Sequence, residues 1–91
     1  MEHPAANEAR SIGFNESVSL DGRVVHVQTE VLGHEKPVIR TTILEGGLVL
    51  HVENHGCPTE PLQLEQLRQR VEQQHRHHVQ QVAETLRRGS H

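Results

Sequence analysis

Polar and apolar residues alternate from Ile12 onward, and the alternation reverses at two short turn signals. Asp21-Gly22 separates the first two runs, and this dipeptide is a strong signal for a two-residue hairpin turn. With that turn, Leu20 faces Arg23, Val18 faces Val25, Glu16 faces Val27, Phe14 faces Thr29 and Ile12 faces Val31. The resulting face is mostly apolar. The opposite face sets Asn15, Ser17 and Ser19 against Gln28, His26 and Val24, and is almost wholly polar. A slip of one residue scrambles both faces, so turn chemistry and hydrophobic pattern agree on this register.

After a Gly33–Pro37 loop the same logic repeats: Val38 to Glu45, a Gly46-Gly47 turn, then Leu48 to Asn54. An uninterrupted ladder pairs Ile43 with Leu50, Thr41 with Val52 and Ile39 with Asn54, and sets Arg40 across from Glu53 as a cross-strand ion pair. His26, Gln28, Glu30, Arg40, His51 and Glu53 then share the outer face, a possible polar ligand-binding tray. Its plainer reading is the solvated side of an antiparallel sheet, with Val24, Leu44 and Val49 adding apolar area.

Beyond the His55–Thr59 loop, Pro61 suits a first helical turn, Thr59 or Glu60 suits a cap, and neither Gly nor Pro recurs before Gly89. Leu64, Leu67, Val71, His75, His78, Val82 and Leu86 follow at spacings of three and four, a single stripe on a long helix. The predicted fold is therefore α+β: a four-stranded antiparallel meander of two hairpins followed by one long C-terminal helix. Such a helix spans roughly 40 Å and eight-residue strands roughly 27 Å, so part of the stripe is expected to overhang the sheet. The expected contact surface is Val71, His75, His78, Val79, Val82 and Leu86, and the simplest partner is a second copy in a two-fold homodimer.

Composition sets the scale. Ninety-one residues make one domain, with residues 1–10 expected to be a disordered lead-in, 11–88 the folded unit, and Gly89-Ser90-His91 a remnant of a purification tag. Only 33% of residues are hydrophobic and Phe14 is the single aromatic, so the core rests on Val, Leu and Ile and is thin. One cysteine, Cys57, and the lack of a long apolar run predict a cytoplasmic protein without a membrane span.

The formal charge of −3 divides into −4 over residues 1–58 and +1 over residues 59–91, too little positive charge for nucleic acid. The helix arginines alternate with glutamates at salt-bridge spacing, as in Glu72 and Arg76, and read as a solvated face. Nine histidines make the charge sensitive to pH: protonating all but His91 takes it from −3 to +5.

His75, His77 and His78 invite a metal reading, because positions 75 and 78 share a helix face. Two ligands do not make a site, and no Cys or carboxylate completes one at helical spacing. No metal and no cofactor is assigned. His55-Gly56-Cys57-Pro58 joins a thiol to an imidazole without an acid or an oxyanion-forming turn, so no catalytic residue is assigned and a non-enzyme is expected.

Phe14-Asn15, Gly22, His26-Val27-Gln28-Thr29-Glu30, Gly33, Pro37, Thr41 or Thr42, and Gly46-Gly47 resemble a group of short bacterial proteins of uncharacterised function. Their shared segment reads roughly F-N-x-E, G-x-x-x-H-V-Q-T-E, G, P, T, G-G, and the likeness covers residues 14 to about 47. Those proteins carry an aromatic just before the His, where this chain has Val25. The resemblance implies a bacterial origin and a compact β-meander, and it transfers no functional residue.

The expected function is a non-enzymatic protein-interaction or regulatory module that self-associates through its helix and engages a further protein partner. The alternative is a small-ligand or metal-binding domain using the outer sheet face or the histidine cluster.

Overall fold

The computed structural model describes residues 12–33, 37–56 and 64–89. The predicted lead-in, the centre of the Gly33–Pro37 loop, Cys57, the helix-cap residues and positions 90–91 lie outside them. Four strands, β1 (Gly13–Leu20), β2 (Arg23–Leu32), β3 (Val38–Glu45) and β4 (Leu48–Gly56), form one sheet in the order β1-β2-β3-β4. All neighbours are antiparallel. One helix, α1 (Leu64–Gly89), follows. The α+β meander expected from the pattern is the observed fold.

Both hairpin turns have positive φ at their two central residues, 52° and 81° at Asp21 and Gly22, 59° and 80° at Gly46 and Gly47. That mirror-image turn matches the right-handed twist of the strands it joins. The β1–β2 register is the one the Asp-Gly turn predicts, from Leu20 opposite Arg23 to Phe14 opposite Thr29.

The β3–β4 register differs from the uninterrupted ladder. Glu45 faces Leu48 and Leu44 faces Val49, but Ile43 faces His51, so Leu50 is an extra residue in a β-bulge. Because side chains alternate with a period of two, absorbing one residue moves everything after it to the other face. Val52 and Asn54 turn outward, while His51, Glu53 and His55 turn toward the helix beside Ile43, Thr41 and Ile39. The expected Arg40–Glu53 pair is accordingly absent: Arg40 Nε donates to Asn54 Oδ1 at 2.9 Å.

The apolar stripe of the helix does not overhang the sheet. Its buried residues run from Leu67 to Leu86, a rise of roughly 28 Å. The ten-residue β2 extends about 33 Å. Leu67 and Val71 pack with Ile12, Val31, Ile39 and Phe14; Val82 and Leu86 pack with Val25, Val27, Val18, Leu20, Ile43 and Val79. Val71, His75, His78, Val82 and Leu86, expected at an interface between copies, are therefore buried in the chain's own core. Val79 is half-buried at its margin. The error lay in matching the helix to eight-residue strands when β2 is longer and runs along it.

Candidate functional site

A polar layer crosses the core between its two apolar clusters. Antiparallel pairing aligns Phe14, Thr29, Thr41 and Glu53 across the four strands, and His75 and His78 descend onto this row from one face of α1. Both histidines are only 2% exposed. Among the described residues every buried side-chain nitrogen and oxygen has a hydrogen-bond partner.

His75 sits over β1 and β2, stacked on Phe14 with ring centroids 5.6 Å apart. Its Nδ1 lies 2.9 Å from Thr29 Oγ1 and its Nε2 lies 3.1 Å from Glu16 Oε1. A carboxylate only accepts, so Nε2 carries the proton and Nδ1 accepts from the Thr29 hydroxyl. Thr29 in turn meets Thr41 Oγ1 at 3.3 Å. One neutral imidazole satisfies the whole network.

His78 reaches further, to β4. Its Nδ1 lies 2.9 Å from the Gln74 carbonyl oxygen, and its Nε2 lies 2.9 Å from Glu53 Oε2. Glu53 Oε2 also meets His55 Nε2 at 2.5 Å, and Oε1 meets His51 Nε2 at 3.3 Å. Glu53, His55 and His78 bring one ligand-type atom each within 4.8 Å of one another. Hydrogen bonds from His55, then His51, then His78 hold the Glu53 carboxyl well below the usual carboxylate range, at about 2. His51, Glu53 and His55 are alternate residues of β4, so one strand aims all three at the helix.

The outer tray is thereby divided. His26, Gln28, Glu30 and Arg40 remain on the outer face, with His26 Nδ1 2.9 Å from Ser17 Oγ and Arg40 bound to Asn54. His51 and Glu53 have left it. Of the helical cluster, His75 and His78 serve different networks, and His77 is exposed with its ring 5.6 Å from that of His78. The Glu53–His55–His78 convergence was missed because an unbulged ladder puts Glu53 outside. Its signal in the sequence is the His-Val-Glu-Asn-His run, three ligand-type residues at strand spacing.

Outside these networks the surface of β4 is apolar: Leu48 is 67% exposed, Val49 50%, Leu50 48% and Val52 45%. Val49 and Val52 join Leu44 and the exposed Val24 on the outer face. At the other edge, β1 exposes Asn15, Glu16, Ser17 and Ser19 instead. Near the start of α1 a cleft of about 390 Å³ is lined by Ile12, Gly13, Phe14, Leu64, Glu65 and Arg68. Among the described residues no helix is long and apolar enough to cross a membrane. No family model, curated protein or solved structure matches this chain.

Proposed function

We propose that this chain is a small, non-enzymatic interaction module that self-associates, and that the contact surface is the apolar corner of the sheet around the β3–β4 hairpin. The observation carrying this reading is the contrast between the two edges of one sheet, whose exposed side chains are polar along β1 and apolar at Leu48, Val49, Leu50 and Val52 of β4. Scattered apolar residues on a surface are ordinary, but Val24, Leu44, Val49 and Val52 form one patch.

The occupant proposed is a second copy, packed face to face across a two-fold axis, which places the same patch on both sides. One feature favours this over strand addition at the β4 edge, and a second favours association itself. The bulge at Leu50 bends the edge and interrupts its regular ladder, a common guard against edge pairing. The buried core among the described residues holds nine apolar side chains and no fully buried aromatic, and domains with so little core commonly gain stability from association.

Sedimentation at two concentrations tests the reading. The parent chain is expected to show a mass that rises toward twice the monomer, and Val49→Glu with Val52→Glu is expected to hold it at the monomer while the far-UV circular dichroism is unchanged. A parent that stays monomeric at both concentrations overturns it.

A further inference from the structure

We propose that Glu53, His55 and His78 form a binding site for a divalent transition-metal ion of the zinc class. The proposal is independent of self-association, because the three residues face the helix and the apolar corner faces away from it.

The argument starts from the proton inventory of His78. The Gln74 carbonyl oxygen only accepts, so Nδ1 must carry a proton. A neutral ring then has a bare lone pair on Nε2, aimed at a carboxylate oxygen 2.9 Å away. Two acceptors facing each other at that distance require something positive between them. His75 makes the comparison: it also addresses a glutamate through Nε2, but its Nδ1 accepts from Thr29, and a neutral ring suffices.

A proton on His78 Nε2 would serve one contact. Around it the cluster is denser: His51, His55 and His78 all turn a ring nitrogen toward the single carboxylate of Glu53. As neutral rings His51 and His55 can donate Nε2–H to that carboxylate, and the same nitrogen, with its proton on Nδ1 instead, offers a lone pair to a divalent cation, which takes neutral imidazoles beside a carboxylate.

The geometry suits that ion. Zinc takes histidine nitrogen and carboxylate oxygen at about 2.0 to 2.2 Å, which sets tetrahedral ligand atoms roughly 3.3 Å apart. The three candidate atoms lie within 4.8 Å of one another, and the side chains of Glu53 and His55, 39% and 42% exposed, have room to turn onto the ion. His78 is fixed, buried at 3% side-chain exposure with Nδ1–H on a backbone carbonyl. That bond is the usual outer contact of a metal-bound histidine, since it selects the tautomer and orients the ring. Three protein ligands and a solvent-facing side leave a fourth position for water.

The test is titration of the full chain with Zn(II), and with Co(II) as a visible-absorption probe, followed by calorimetry on variants. The expected result is one ion per chain with micromolar or tighter affinity, and a four-coordinate Co(II) spectrum. Glu53→Gln and His55→Ala are expected to weaken binding by about tenfold or more. His26→Ala, His77→Ala and His91→Ala should leave it unchanged; the last of these controls for the tag-like terminus. His78→Gln should abolish binding, and since this residue is buried the two exposed-ligand variants carry the test if it fails to fold. Absence of stoichiometric binding, or equal weakening by the His77 or His91 variants, overturns the site and leaves Glu53 as an ion-pair partner of His78.

Discussion

His75 and His78 are three residues apart on one helix face, equally buried, and each is paired with a glutamate, yet they differ in what their second ring nitrogen touches. Thr29 is the residue that makes His75 a finished structural unit, because its hydroxyl supplies the proton that Nδ1 accepts. Replacing Thr29 with Val keeps the shape and leaves a buried acceptor without a donor. The expected cost is about 1 to 3 kcal/mol of folding free energy, read from urea unfolding. A change below the precision of that measurement would mean that water reaches Nδ1 in place of the hydroxyl.

At the scale of elements, the Leu50 bulge decides which side of the sheet receives His51, Glu53 and His55. It predicts an unusual response to deletion. In a regular strand, removing one residue turns every later side chain to the other face. Here, deleting Leu50 removes the extra residue and leaves His51 opposite Ile43, so Glu53 and His55 should still meet His78. Zn(II) affinity within about threefold of the parent is the expected outcome, against a loss of tenfold or more if the faces exchange. Calorimetry on the deletion variant distinguishes the two.

The helix as an element is equally open to test. Val82 and Leu86 are 8% and 4% exposed, packed on Val25 and Val27. Exchanging both for Glu buries two charges without partners, a change of roughly 4 kcal/mol or more. Loss of the folded circular dichroism spectrum is expected. Retention of the fold with only a fall in oligomer mass would restore the helix as the interface.

For the whole molecule, the helix lies over β1 and β2 and barely over β3, leaving the β3–β4 side of the sheet to two surfaces of different chemistry. One is the inner cluster of histidines on Glu53; the other is the outer apolar corner. If the proposed site and the proposed contact are separate, a chelator should remove metal-dependent thermal stability without changing sedimentation, and Val49→Glu with Val52→Glu should leave Zn(II) binding within about twofold of the parent. Coupling of the two readouts would place the metal at the interface between copies.

Much of this molecule is legible in its sequence. The Asp21-Gly22 and Gly46-Gly47 turns, the β1–β2 register and the helical stripe all follow from local rules, because side-chain period and turn conformation act over a few positions, whereas the order of the two hairpins in one sheet does not. Even the ligand-type residues of β4 stand out as His-Val-Glu-Asn-His.

Tertiary structure alone decided their use. A bulge changes a strand by one residue and leaves little trace in composition, yet it reverses the facing of all that follows. The helix length was readable, but the position and direction in which it lies on the sheet depend on which strand it follows, and this turned an expected interface into core. The meeting of His78 with Glu53 and His55 spans 25 residues of chain. No local signal records such an encounter, because it exists only when helix and sheet pack.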